Sequence, residues 1–436
     1  MAETSKGKRR TSRLYWGQTG RERTMAEMSK GKSPFYPGQP VPVELFVGRK
    51  AEIERILTRG VAQVTRGKPV AIFTRGEYGI GKSSIAGFVQ SLAEREEYGL
   101  HGIYATLGGS HDLNDMAAAI LEATLRSGAL DPRRVEKLRN LLAKYVGPQQ
   151  LFGIRVDLTA LRQDAPNFST PFGMLSFLSE TRARLKETGV KGIFLVLDEI
   201  NGMTSDPQFA NFIKGLVDSN AMSKEPLPLL LMLCGVEERR REMIQKHQPV
   251  ERIFDVVEIG AMTEAEMKDF FNRAFESVQM KVEDSAMFYL THYSAGFPKI
   301  MHLIGDAAYW LDKDGLVDEE DAINAVRVAA GEVGSKYVDQ QIYSVISKDY
   351  RSILRKIAGI GWEKGFGEPF HKAEITKVLT ESEHRKFNNF LRRMETLRVI
   401  RHGEERGEYV FTMRMVELYI WMDSIRQRKE DVESST

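Results

Sequence analysis

The sequence predicts an α/β fold built on a parallel sheet, followed by a helical subdomain and a C-terminal winged helix. Three observations predict it. Apolar strand-like runs alternate with helical stretches between residues 44 and 236, a glycine-rich loop joins one of those strands to one of those helices, and three helical stretches near the C-terminus precede a hairpin. Apolar strands alternating with helices belong to parallel sheets covered on both faces, because each crossover lays a helix on one face.

The elements follow in order. From Glu44 a short extended segment leads to a helix over 50–65, a strand over 70–74, a glycine loop and a helix over 82–95. A strand near 101–107 comes next, then a helical region over 112–142 and a less legible stretch over 146–171. A helix over 172–187, a strand over 192–197, a helix near 207–219 and a strand over 227–234 complete the series. Ahead of it, Met1–Lys8 nearly repeats as Met25–Lys32 among polar and basic residues, too poor in apolar side chains to order itself. We read residues 1–38 as a disordered basic segment, either a duplicated start region or an upstream start with Met25 near the functional beginning, or else a basic interaction arm. The closely spaced prolines of 33–40 block helix and ladder alike.

Bulk properties narrow the function classes. With 436 residues the chain is long enough for several cores, and 42% hydrophobic with 28% charged residues is a globular composition. The net charge is +2, and residues 1–33 carry nine Lys/Arg against three Glu, which leaves the remainder mildly acidic. Any nucleic-acid contact is therefore confined to local patches or to the N-terminal arm. The longest apolar run, Leu227–Val236, is broken by Pro228 and spans about half of the ~20 residues a membrane helix needs. One cysteine, Cys234, gives no disulfide framework, and no signal peptide is legible, so a cytoplasmic location is expected. The eight histidines show no metal-ligand spacing, and Trp310, Trp362 and Trp421 read as packing residues.

Two motifs carry chemistry. Gly76-Glu77-Tyr78-Gly79-Ile80-Gly81-Lys82-Ser83 fits the phosphate-binding P-loop pattern and sits between a strand and a helix, where that pattern has to sit. Glycines let the backbone curl so that its N–H groups face phosphates, and the helix N-terminus, with Ser84 in its first turn, adds positive potential. Lys82 is expected to neutralise the β- and γ-phosphates of ATP, and Ser83 to hold Mg²⁺. Ile193–Glu199 is an apolar strand ending in two carboxylates. Asp198 is expected on Mg²⁺ through water or Ser83, and Glu199 is expected to orient and deprotonate the attacking water.

With these motifs the chain resembles the AAA+ ATPases, and within them the branch of origin-recognition and archaeal replication-initiator proteins, TnsC-type transposition ATPases and STAND signalling ATPases. The resemblance spans roughly residues 42–425. It implies a Mg²⁺-dependent ATPase with its AAA+ domain over 39–260, a helical lid over 261–334, a winged helix over 335–425 and a disordered tail over 426–436. Leu45-Phe46-Val47-Gly48-Arg49 looks like the family's entry box beside the adenine. Gly296-Phe297-Pro298-Lys299 looks like the lid motif whose basic residue reaches the γ-phosphate, although Lys299 stands where Arg is frequent and lacks its bidentate fork; a plain helix-start turn is the other reading. Val250–Phe254 resembles the site that supplies an arginine finger, Arg252, to a neighbouring subunit, with Arg239, Arg240 and Arg241 as competitors. A strand-end sensor is unassigned, since Leu233–Val236 offers only Cys234. The long separation of Lys82 from Asp198 implies an insertion within roughly 108–170.

At the C-terminal end, helical stretches over 343–361, 371–379 and 382–397 precede a hairpin over 399–412, the order of a winged helix. Its third helix places Arg385, Lys386, Asn389, Arg392 and Arg393 opposite an apolar face, residue types suited to double-stranded DNA. Glu404, Glu405 and Glu408 on the wing oppose that, so a packing role stays open. The leading expectation is an ATPase that forms a homo-oligomer with ATP, acts on or near DNA and serves a protein partner, with no membrane association. The alternative is a STAND-like nucleotide switch in signalling or phage defence.

Overall fold

The computed structural model describes residues 30–38, 46–127, 131–145, 166–364, 366–403 and 405–433. Helix α1 (Lys50–Ile56) continues through a π-helical turn (Leu57–Val61) into α2 (Ala62–Thr65), and β1 (Val70–Arg75) follows. The glycine loop leads into α3 (Lys82–Ala93), then β2 (Leu100–Thr106), α4 (Leu113–Arg126) and α5 (Pro132–Tyr145). After residues 146–165, which lie outside the described residues, come α6 (Pro171–Leu185), β3 (Gly192–Asp198), α7 (Pro207–Ala221), β4 (Leu229–Gly235), α8 (Glu237–Lys246) and β5 (Asp255–Glu258).

These five strands form one parallel sheet in the order β2-β3-β4-β1-β5. Every residue of β3 and β4 is buried, which is why both read as unbroken apolar runs rather than alternating ones. Successive side chains still go to opposite faces. Phe194 and Val196 pack with Ile56, Ile85 and Val89 on one side, while Ile193, Leu195 and Leu197 pack with α4, α6 and α7 on the other. The expected insertion contains α4 and α5, whose buried Ile120, Leu141 and Leu142 belong to the second core. Helix α4 starts where Asp112 accepts from the backbone N–H groups of Asn114 and Asp115.

The lid comprises α9 (Glu264–Glu276), β6 (Lys281–Val282), α10 (Asp284–Ser294), α11 (Pro298–Leu311), β7 (Leu316–Val317) and α12 (Glu319–Val333). A reciprocal capping box between Thr263 and Glu266 starts α9. A π-helical segment (Gly334–Ile342) carries the chain on into α13 (Lys348–Lys364), β8 (Phe370–His371), α14 (Lys372–Thr376), α15 (Glu381–Thr396), β9 (Ile400–His402), β10 (Glu408–Phe411) and α16 (Arg414–Glu433). Strands β8, β10 and β9 pair antiparallel into a small sheet. Helices α13, α14 and α15 with this sheet, whose β8 lies between the first two, make the winged helix, and Phe387, Phe390, Leu391 and Met394 bury the inner face of α15.

Two sequence expectations need correction. Residues 30–38, expected to be disordered, are irregular in backbone but docked: Phe35 is buried among Phe270, Phe271, Phe275 and His302, and a Cβ on Gly305 would strike its ring. The Tyr36 N–H donates to His302 Nδ1, and the Lys30 ammonium donates to the Tyr309 carbonyl and to Asp312. Phe35 in an aromatic slot of the lid, together with the Tyr36 and Lys30 hydrogen bonds, docks the segment. The duplicated segment, apart from Lys30–Lys32, lies outside the described residues. At the other end α16 continues to Glu433, so residues 426–433 are helical rather than a disordered tail. Helix α8 and strands β5 and β8 went unread in the sequence. Among the described residues no helix is long and apolar enough to cross a membrane.

Candidate functional site

The glycine loop leaves the C-terminal end of β1, and Asp198 ends β3, two positions away in the sheet with β4 between them. Crevices outside the carboxyl ends of parallel strands, where the strand order reverses, are where open α/β sheets hold ligands. The loop's shape is set by positive φ at Gly79 (78°) and Gly81 (97°), conformations that side chains other than glycine rarely adopt. The Lys82 ammonium folds back onto the loop it belongs to, donating to the carbonyls of Gly76 (2.9 Å) and Glu77 (2.8 Å). Burial holds that ammonium below the usual lysine range. Ser83 and Ser84 are half-buried on the first turn of α3.

Asp198 is 4% exposed, and both of its carboxylate oxygens are engaged. The Glu199 N–H donates to Oδ1 (2.8 Å) and the Tyr104 hydroxyl donates to Oδ2 (2.6 Å). Burial, then the Asp198 charge, pushes the Tyr104 phenol far above its ordinary pKa, so it stays a donor. Glu199 adopts φ 55°, a left-handed conformation that costs a non-glycine residue roughly 1–3 kcal/mol and concentrates at functional sites. Its carboxylate is exposed and lies over Gly108, where a Cβ would meet Oε2 at 2.3 Å. The hydroxyl of Ser83 and the carboxylate of Asp198 are the hard oxygen donors that suit Mg²⁺, and the glycine cradle leaves the backbone accessible to phosphates, so the residues fit both groups.

The lid closes on the loop from the other side. Its turn needs glycine at 296, because a Cβ there would come within 2.5 Å of the Met262 carbonyl. The Lys299 N–H donates to the Gly79 carbonyl (3.3 Å), its stem covers Gly79, and its ammonium sits 4.6 Å from the centre of the Tyr78 ring. The resemblance's lid lysine is thus beside the P-loop, resting on an aromatic face rather than on a carboxylate.

In the entry box Leu45 lies outside the described residues. Phe46 stacks on Phe88 (4.6 Å between centroids), and Val47 packs half-buried against the same core. A Cβ on Gly48 would meet Glu266 Oε1 at 2.8 Å. Arg49 is 3% exposed and also left-handed (φ 63°). Its guanidinium donates to the carbonyls of Gly260 (2.5 Å) and Ile80 (3.1 Å), and its N–H donates to Glu266. It therefore ties the P-loop, the end of β5 and the lid's first helix together.

The competing arginines separate by their partners. Arg240 and Arg241 pair with Glu237, and Arg239 pairs with Glu242. Hydrogen bonds from Arg240 first, then Arg75 and Arg241, hold Glu237 down at about 2. Arg252 lies exposed on a 3₁₀ turn over 248–253, with no ion-pair partner among the described residues. Cys234 is buried and accepts from the Thr74 hydroxyl (3.1 Å), while burial pushes its thiol up, so it presents no polar group at the strand end.

Sequence reasoning missed Tyr104, whose apolar strand context hides it, and Arg398, which sits in the turn after α15. Arg398 has φ 56° and pairs with Glu238 of α8. A cleft of about 560 Å³ opens there beside the P-loop, lined by Arg75, Glu77 and Arg241 on one side and Arg398, Arg401 and Arg414 on the other. On α15, Arg385, Lys386, Asn389, Arg392 and Arg393 are all exposed; Lys386 pairs with Asp349, and Arg392 donates to Asn389. Glu404 of the wing lies outside the described residues.

Sheet order, glycine loop, lid and winged helix together define a P-loop α/β protein of the AAA+ architecture. Two solved structures share it. The Walker-type ATPase of Pyrococcus abyssi aligns with a TM-score of 0.55 at 16% identity, covering 86% of this chain and 96% of that one. The ORC2 protein of Aeropyrum pernix, in its ADPNP-ADP complexes, aligns with a TM-score of 0.56 at 14% identity, covering 91% and 97%. No family model and no curated protein matches the sequence.

Proposed function

We propose that the protein binds and hydrolyses ATP with Mg²⁺, assembles when ATP is bound and acts on or near DNA, as an initiator, loader or transposition-type factor working with a protein partner. One observation carries the ATPase reading: a glycine loop with its lysine, Lys82, faces a strand ending in Asp198 and an exposed Glu199. Lys82 exchanges the loop carbonyls of Gly76 and Glu77 for phosphate oxygens, a stronger partner for an ammonium. Magnesium, when bound, would neutralise charge on the phosphates. Ser83 and Asp198 would hold it, the latter through water. Glu199 takes a proton from the attacking water, and Lys299 leaves the Tyr78 ring for the γ-phosphate. Arg252, exposed and without an ion-pair partner among the described residues, is the group offered to the next subunit. We divide the chain near residues 260 and 334, into AAA+ domain, lid and winged helix.

Lys82→Ala is expected to remove ATP binding by calorimetric titration. Glu199→Gln is expected to bind ATP normally and hydrolyse it at least ~100-fold more slowly, as loss of a positioned base implies. Undiminished ATP affinity in the first variant would sink the P-loop assignment.

A second reading, a STAND-like nucleotide switch, is favoured by the Arg398–Glu238 ion pair, which fastens the winged helix beside the P-loop. Double-stranded DNA that accelerates ATP turnover favours the first reading; turnover indifferent to DNA favours the second.

A further inference from the structure

Strand β2 runs beside β3 in a register that sets Tyr104 opposite Val196 and Thr106 opposite Asp198. Residues two apart on a strand share a face, so Tyr104 lies on the face of Asp198 but one repeat short of it, roughly 6.6 Å along the strand. A phenol is long enough to span that gap, and its hydroxyl meets Oδ2 at 2.6 Å. The same hydroxyl stands 3.4 Å from the carbonyl of Ser83 on the first turn of α3. It thus bridges the two elements that supply the oxygen donors, while its ring packs half-buried against the first core. Among the described residues no other side chain donates to Asp198; its second donor, the Glu199 N–H on Oδ1, belongs to the adjoining backbone and leaves Oδ2 to the phenol.

We propose that Tyr104 is a positioning residue of the divalent-cation site: its hydroxyl holds Asp198 in the orientation from which the carboxylate accepts from metal-bound water. This rests on the ATPase reading above and adds to it a residue that touches neither nucleotide nor metal. Carboxylates that serve a metal are commonly held by a hydrogen-bond donor behind them, and removing such a partner costs about 10–100-fold in metal affinity or activity.

The test uses the full chain and a fluorescent ATP analogue, titrated with Mg²⁺ and separately in EDTA. Tyr104→Phe keeps the ring and removes only the hydroxyl. It is expected to raise the Mg²⁺ concentration for half-maximal tightening of nucleotide by roughly tenfold, with affinity in EDTA unchanged. On an Asp198→Asn background the same substitution should add no further shift, because the coupling runs through that carboxylate. An unaltered Mg²⁺ midpoint in Tyr104→Phe overturns the inference, as does equal weakening with and without Mg²⁺, which would mark a packing role. Nucleotide binding by the wild type that ignores Mg²⁺ altogether would instead overturn the metal reading beneath it.

Discussion

Replacing Arg49 tests whether the entry box acts as a clamp. Its guanidinium makes two hydrogen bonds to backbone carbonyls, a buried one to Ile80 and a part-buried one to Gly260, and bonds to a charged group contribute about 1.5–3 kcal/mol each. Burial of the cation opposes part of that gain, and the carboxylates of Glu52 and Glu266 restore some of it. Arg49→Ala is therefore expected to cost about 2–4 kcal/mol, or roughly 5–15 °C in the melting of a domain this size. Alanine retains the unfavourable left-handed conformation, whereas glycine relieves roughly 1–2 kcal/mol of it. Arg49→Gly should therefore melt higher than Arg49→Ala, the reverse of the order in a helix interior. Because Ile80 loses its donor, both variants should also bind ATP more weakly. Scanning fluorimetry with and without nucleotide reads both effects. A melting temperature within about 2 °C of wild type for Arg49→Ala, or a glycine variant no more stable than the alanine one, would refute the clamp.

Three further predictions follow from particular side chains. If Arg252 serves a neighbour, specific ATPase activity should climb with protein concentration and Arg252→Ala should flatten the climb while leaving nucleotide affinity intact; a concentration-independent wild-type rate points to a monomeric switch. Replacing Arg392 and Arg393 by Ala should weaken duplex DNA binding and lower the slope of log affinity against log salt by about two, and unchanged affinity would make α15 a packing helix. Glu417 is buried on α16, takes the Gly367 N–H on Oε2 and leaves Oε1 without a partner among the described residues, and burial raises its pKa to about 8. Its folded pKa lies above the unfolded one, so its stabilising effect is complete below the unfolded carboxylate range and fades as pH rises towards 8. Glu417→Gln should thus raise the melting temperature at pH 9 and lose that advantage by pH 5; an equal effect at both would show that ionisation at 417 is not what costs stability.

The sequence alone determined the parallel sheet, the P-loop and the paired carboxylates, because each is written in contiguous residues. Strands β3 and β4 announce burial by unbroken apolar runs, and Gly76–Ser83 and Asp198–Glu199 carry their chemistry within a few positions of one another. The winged helix was legible for the same reason, through the spacing of Phe387, Phe390, Leu391 and Met394. Strand β5 was not, since Asp255–Glu258 is four residues long at a sheet edge and half of its side chains are polar or charged. Arg49 illustrates the limit: its identity marked the entry box, but only the approach of Gly260, Ile80 and Glu266, distant in the chain, made it a clamp. Tyr104 became a partner of Asp198 through the β2–β3 register, Arg398 met Glu238 through domain packing, and Phe35 was ordered by an aromatic slot built from α9 and α11. Side-chain partners drawn from separate elements are chosen by the folded chain's geometry, and local propensity holds no record of them.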